Sequence, residues 1–237
     1  MLTAKEINAK IIAIYEKWRS EMAEKSPQFL GGDFSNIFCT GVLENWSNSD
    51  IRILFVGEEA TWKSRKCYHY AYSNELPECQ KWILDQINSQ FYDDSVRKYR
   101  SAFWRRMRAI NSAFPNSAIC WTNIDVINTA KCRALSDKDR RQLHSCDTRI
   151  LREVVELIKP THIVLLGWHN TSLRHEFPEL SEKVYPKEYG NTEFMKQNGY
   201  IFKTEYKGAQ VVFSYHPRSS QAVSNAYKDR LIAILKD

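Results

Sequence analysis

The apolar positions of this chain change period several times, and each change marks an element. From Ala4 to about Ala23, Ile7, Ile11, Ile12, Ile14, Tyr15 and Trp18 recur at helical spacing between charged residues, which predicts an amphipathic helix. Residues 26–50 are rich in Gly, Asn, Ser and Pro and read as loop. Ile51 to Val56 is a nearly continuous β-branched and apolar run, the pattern of a parallel strand buried on both faces, and Gly57 permits a tight turn after it. The stretch from there to about Leu76 has no helical period and is crowded with Trp62, Tyr68, Tyr70 and Tyr72. Such a loop is either functional or pinned to the core by its rings.

Pro77 opens a helix that runs through Phe91. A second helix, Ser95 to Phe114, has its apolar stripe at Val96, Tyr99, Phe103, Met107, Ile110 and Phe114, with Arg97, Lys98, Arg100, Arg105, Arg106 and Arg108 on the other face. A second strand covers Ser117 to Thr122. A helix capped by Ser136 follows and continues through Ile158 to Pro160, and His162 to Gly167 is a third buried strand. His162, at the start of its strand, reads as structural. Residues 170–199 are irregular and partly helical. Lys207-Gly208 then joins Tyr200 to Tyr206 and Ala209 to Tyr215 as a hairpin, and a helix from about Ser219 to Leu235 ends the chain. Strands alternating with helices predict a three-layer α/β/α sandwich with a mostly parallel central sheet. One domain spans residues 1–237, with 1–50 as an N-terminal helix-and-loop extension.

Composition changes this picture little. The 43% hydrophobic fraction and seven Trp supply a core, and 26% charged residues point to a soluble protein. No stretch has the length of a membrane span and the amphipathic N-terminus is not a signal sequence, so the expected location is cytoplasmic. Net charge of +6 suits an anionic partner such as nucleic acid, as does the arginine face of residues 97–108. Cys39, Cys67, Cys79, Cys120, Cys132 and Cys146 form no C-x-x-C pair and read as reduced and structural, with no metal.

Candidate chemistry lies where strands end. In an open parallel sheet, ligands bind beyond the carboxyl ends of the strands. The first strand ends in Gly57-Glu58-Glu59-Ala60 and the last delivers Ser214-Tyr215-His216-Pro217-Arg218-Ser219. A carboxylate facing a histidine across one cleft is hydrolase chemistry. There is no G-x-S-x-G elbow and no Gly-rich phosphate loop.

From Ile51 to Leu235 the chain resembles the uracil-DNA glycosylase superfamily. The resemblance rests on an apolar strand running into Gly57-Glu58-Glu59-Ala60, on Trp121-Thr122-Asn123, on Lys131-Cys132-Arg133, on Lys159 through Gly167, and on Tyr215-His216-Pro217-Arg218-Ser219, in that order. It implies a monomeric DNA glycosylase that flips a pyrimidine out of DNA and hydrolyses its N-glycosidic bond, in repair or antiviral defence, without a cofactor. Glu59, or else Glu58, is then the water-positioning carboxylate, and His216 the hydrogen-bond donor to the departing base. Asn123, or else Asn128, reads the base edge, and Tyr72, or else Tyr70, stacks on it. Asp125 is placed to accept from a cytosine amine, or is a solvated loop carboxylate. Arg218, Ser219 and Ser220 enter the DNA groove, and Lys131, Arg105, Arg106 and Arg108 contact phosphate. The chain departs from the family at Ala60, where a Pro is usual, and at Thr61, where a Tyr blocks C5 substituents; Trp62 beside it is large enough to refill that space. An open gate at Thr61 tilts the expected substrate from uracil toward a C5-modified pyrimidine. Some relatives hold an iron–sulfur cluster on four cysteines. Cys132 and Cys146 resemble the later pair, but the N-terminal pair is missing, so no cluster is expected. The competing expectation is a catalytically weak DNA-binding module on the same fold.

Overall fold

The computed structural model describes residues 2–31, 34–35, 37–59, 75–128, 135–167, 170–184, 196, 199–220 and 222–237, with only the main chain at Glu58, Glu59 and Asn170. The chain begins with α1 (Ala4–Lys25), held by a reciprocal cap in which Thr3 accepts from the Glu6 amide and the Glu6 carboxylate accepts from the Thr3 amide. The other helices are α2 (Leu76–Phe91), α3 (Ala102–Ala113), α4 (Asp137–Leu143), α5 (Ile150–Ile158), α6 (Asn170–Glu176), α7 (Pro178–Val184) and α8 (Asn225–Lys236). The strands are β1 (Arg52–Glu59), β2 (Ala118–Asp125), β3 (His162–Leu166), β4 (Ile201–Tyr206) and β5 (Ala209–Ser214).

The five strands form one sheet in the order β2-β1-β3-β5-β4. β2, β1, β3 and β5 are parallel, and β4 is antiparallel to β5. Lys207 and Gly208, at φ 47° and 82°, make the two-residue turn that joins β4 to β5, a conformation suited to the strand twist. Side chains alternate across the sheet, so each strand feeds two cores. Leu54, Val56, Cys120, Ile163, Leu165 and Val211 pack with Ile11, Tyr15, Trp18 and Met22 of α1 and the apolar stripe of α5. Ile53, Phe55, Ile119, Trp121, Val164 and Val212 pack with Ile83 and Ile87 of α2, Trp104, Met107 and Ile110 of α3, and Tyr227, Leu231 and Leu235 of α8. The result is a sheet between two helical layers, a three-layer α/β/α sandwich.

Three predicted helices differ from their patterns. The stripe from Ser95 to Phe114 forms a helix only from Ala102, because side chains engage the backbone of Asp93, Ser95 and Tyr99 ahead of it. Asp93 accepts from the amide and hydroxyl of Ser95, Gln90 Oε1 accepts from the Tyr99 amide, and Lys98 Nζ donates to the Ser89 and Asp93 carbonyls. Ser101 then caps α3 by accepting from Trp104 N. The pattern from Ser136 to Ile158 divides into α4 and α5. Between them the Glu21 carboxylate of α1 accepts from the amides of Asp147 and Thr148 and from the Thr148 hydroxyl, diverting those groups from a helical ladder. The last helix starts at Asn225, capped by Ser224, which leaves residues 215–224 as a connecting segment. His162 opens β3 with its ring beside Phe114 and Nδ1 2.8 Å from the Thr161 hydroxyl, a packing role. No helix among the described residues is long and apolar enough to cross a membrane.

Candidate active site at the carboxyl edge of the sheet

From β1 the chain goes to β2 on one side, and β3 and β5 lie on the other, so the strand order reverses beside β1. The crevice beyond the carboxyl ends at such a reversal is the natural ligand site of an open parallel sheet. Four strand ends meet there: Gly57 to Glu59, Asn123 to Asp125, Gly167, and the Tyr215-His216 segment after β5. The register pairs Gly57 with Asn123 and Glu59 with Asp125. The Gly167 amide donates to Ser214 O at 3.1 Å, which keeps the ends of β3 and β5 together.

Gly57 sets the floor of the crevice. A Cβ at this position would lie 2.5 Å from Asn123 Oδ1 and 3.3 Å from the Phe103 ring, so the absent side chain is what admits both groups. Asn123 is 2% exposed, and its Nδ2 is buried with no hydrogen-bond partner among the described residues. A buried amide donor left unpaired costs on the order of 1–3 kcal/mol, and such groups concentrate where a ligand supplies the missing acceptor.

Phe103, in the first turn of α3, forms the adjoining wall. Its ring lies parallel to that of His216, with centroids 6.5 Å apart and planes 15° apart, and 5.9 Å from the Trp121 ring. Trp121 is wedged in turn between Trp104 and Phe38, at 4.8 and 4.7 Å. These rings make one side of the crevice apolar, and a low-dielectric wall strengthens electrostatic contacts beside it.

His216 is tied by the turn that follows it. The Arg218 amide donates to His216 Nδ1 at 3.2 Å, and the Ser219 amide donates to His216 O at 2.8 Å. Because Nδ1 accepts, the proton of the neutral ring resides on Nε2, an assignment made from the hydrogen bond. Burial, reinforced by the charge of Arg218, lowers the imidazole pKa from its ordinary value. A neutral imidazole with a free Nε2–H donates a hydrogen bond rather than a proton.

The remaining residues expected at the site divide into groups. Glu58 and Glu59 lie on the last two positions of β1, and nothing beyond their main chain is described. Thr61, Trp62, Tyr70, Tyr72 and Lys131 lie outside the described residues. Asn128 is buried after β2, where its main chain exchanges hydrogen bonds with Ser35, so Asn123 rather than Asn128 meets Gly57. Arg218 and Ser220 are exposed beside His216, and Arg105 is exposed on α3. Ser219 is half-buried, its hydroxyl without a hydrogen-bond partner among the described residues.

Three expectations are corrected. Asp125 is neither a base contact nor a solvated loop carboxylate. It is buried, with Oδ2 accepting from Arg140 Nε at 2.9 Å and Oδ1 from Ser172 Oγ at 2.6 Å, and so clamps α4 and α6 to the end of β2. Arg106 does not reach solvent or phosphate: it is 6% exposed and donates to Ala222 O. Arg108 turns inward, donating to Gln90 Oε1 and Tyr99 O, and so braces residues 90–99. The arginine face predicted from residues 97–108 is thus partly structural.

Phe103 and Trp121 belong to this region and went unassigned in the sequence. Phe103 sat in a helical stripe and Trp121 in a strand, patterns that read as core. Val223 is an apolar side chain 65% exposed at the end of the His216 segment, a signal only the fold supplies. Among the described residues no group of three or more His, Cys, Asp or Glu side chains is placed to hold a metal. Cys39, Cys79, Cys120 and Cys146 are buried thiols outside any disulfide, and burial raises the pKa of each, which disfavours the thiolate. No protein-family model matches the chain, and no curated protein is similar to it in sequence.

Proposed function

We propose that this chain is a monofunctional DNA glycosylase that accepts a flipped pyrimidine, uracil or a larger C5-modified base, in the crevice at the ends of β1, β2 and β5. The observation that carries the reading is the pairing of two donors of fixed orientation. Neutral His216 offers Nε2–H beside Phe103, and Asn123, whose Oδ1 faces Gly57, offers a buried Nδ2–H with no hydrogen-bond partner among the described residues. A pyrimidine leaving as an anion presents carbonyl acceptors to such donors, and a donor aimed where charge develops stabilises the transition state more than the ground state.

In this reading the C1′–N bond breaks with its electron pair passing to the base, which departs as an anion held by His216 and Asn123. A carboxylate at the end of β1, Glu59 or Glu58, stabilises the sugar cation and takes the proton of the water that adds to C1′. Phe103 joins Tyr72 and Tyr70 as a candidate to stack on the base. The exposed Arg105 and Arg218 suit the DNA backbone, and Val223 suits an unstacked base step. Repair and antiviral defence remain the two settings for such an activity, and the inside of a cell is where its substrate lies.

The test is mass spectrometry of bases released from DNA carrying uracil, hydroxymethyluracil, hydroxymethylcytosine or glucosylated phage bases, with His216→Ala beside the wild type. Release of one base, lost in the variant, is the expected result. DNA binding without release from any of these substrates would replace the reading with that of a DNA-binding module on the same fold.

A further inference from the structure

The segment that carries His216 is held at both ends by groups from the helical layer behind it. At its start, the Tyr215 amide donates to Tyr227 Oη at 3.1 Å, and that hydroxyl donates to Tyr200 O at 2.7 Å. At its far end Arg106 Nη2 donates to Ala222 O, while Arg106 Cζ lies 5.4 Å above the Tyr227 ring. Between them the turns run through Ser219 N to His216 O and Ala222 N to Ser219 O, at 2.8 and 3.0 Å, so the carbonyl that Arg106 grips is two hydrogen bonds from His216. Phe103, one turn earlier on the same face of α3, is the residue whose ring stacks on His216.

Packing alone does not account for this guanidinium. Arg106 is buried, has no carboxylate partner among the described residues, and its Nη1 makes no hydrogen bond among them. Burying an uncompensated charge is costly, and an apolar side chain of similar volume fills such space at less cost. What an apolar residue cannot do is hold the Ala222 carbonyl and the Tyr227 face at once from a planar fork.

We propose that Arg106 is the positioning residue of His216: with Tyr227 it fixes both ends of the 215–222 segment, so that the Arg218 amide meets Nδ1 and Nε2–H is aimed into the crevice. The proposal rests on the reading of His216 as the group that faces the departing base, yet the geometry concerned exists in the free protein. It therefore has a readout that needs no substrate.

The experiment records long-range proton–nitrogen spectra of the histidine rings in wild type, Arg106→Met and Tyr227→Phe, with the His216 signal assigned by its absence in His216→Gln and with Arg152→Met as a control. Wild type is expected to show the Nε2–H tautomer at His216. Both variants, folded by circular dichroism, are expected to show a mixture with Nδ1–H, and the control none. An unchanged His216 tautomer in either folded variant would overturn the proposal. On DNA from which the wild type releases a base, single-turnover base release by the variants should fall by about 10- to 100-fold with the Kd for DNA within about threefold, the pattern of a misplaced group rather than a lost contact. Absence of base release even in wild type would sink the glycosylase reading, while the tautomer comparison would still decide the role of Arg106.

Discussion

The imidazole of His216 and the ring of Phe103 face each other in parallel, 6.5 Å between centroids, although they stand more than 100 residues apart in the chain. One side of the imidazole is thereby apolar, and its Nδ1 is occupied by the Arg218 amide. Both features favour the neutral ring. The folded-state pKa lies below the ordinary histidine value of 6.5, so the donor form persists as pH falls through 6.5 and is lost only below it. Base release is expected to hold steady from pH 8 to 6.5 and to decline on an acid limb whose midpoint lies below 6.5. Nitrogen NMR titration of His216 identifies the group, and a midpoint above 6.5 for that ring would contradict the assignment.

Gly57 gives a sharper test of the crevice, because one methyl group fills it. In Gly57→Ala the new Cβ meets Asn123 Oδ1 at 2.5 Å, and the Asn123 amide, buried on all sides, must shift. Overpacking of this kind costs about 1–3 kcal/mol. The variant should unfold at lower urea and, on the proposed function, release base at least about tenfold more slowly, since the amide proposed to read the base has moved. Adding Asn123→Ala to Gly57→Ala should recover most of the stability and none of the activity. Recovery of neither would show that the contact is not what limits position 57.

How far the sequence carries the reader is clear from these same residues. The strand ends at Gly57, Asn123 and His216 are legible because apolar runs that stop at polar residues are a one-dimensional signal, and the sheet brings all three to one edge. Phe103 is not legible, since a stripe at helical spacing looks the same whether it faces core or crevice. Arg106 and Arg108 look like a solvated or phosphate-binding face because sequence spacing says nothing about which neighbour covers a helix. The division of the 136–158 pattern was hidden for a similar reason: its cause is Glu21, more than 120 residues away in the chain.

Asp125 and Arg140 make a buried ion pair whose role is to hold α4 and α6 to the end of β2. The Asp125 side chain is 1% exposed and that of Arg140 19%. Removing the cation leaves a buried carboxylate with Ser172 as its remaining side-chain donor among the described residues. Arg140→Met is therefore expected to destabilise the fold by about 3 kcal/mol or more, whereas Asp125→Asn, which keeps a carbonyl to accept a hydrogen bond and leaves a cation that is less buried and also lies 3.7 Å from Asp137, should cost less. Urea titration of the two variants decides the order. If Arg140→Met is the milder of the two, the pair is not carrying the load assigned to it.

A second polar cluster, beside that ion pair, sets how stability depends on pH. His144 and His175 are stacked at 4.6 Å and 3°, and burial, with Arg140 near the first and Arg149 near the second, pushes both down to about 4. Glu176 accepts from the Arg152 amide in the first turn of α5, and burial, aided by the charge of Asp125 and opposed by Arg149, raises it to about 8. Below pH 6.5 the unfolded chain takes up two histidine protons that the folded chain refuses, so stability falls as pH drops from 6.5 toward 4. Glu176 acts in the opposite sense. The folded chain keeps a proton that the unfolded chain loses above about 4.5, so its contribution falls as pH rises toward 8. Two histidines outweigh one glutamate on the acid side and vanish on the alkaline side, which places the cluster's maximum near pH 6.5. Chemical denaturation across pH 4–8 should show the acid decline flattened in His144→Phe/His175→Phe and the decline above pH 6.5 flattened in Glu176→Gln. Parallel profiles for wild type and both variants would show that these groups titrate alike in the folded and unfolded chains.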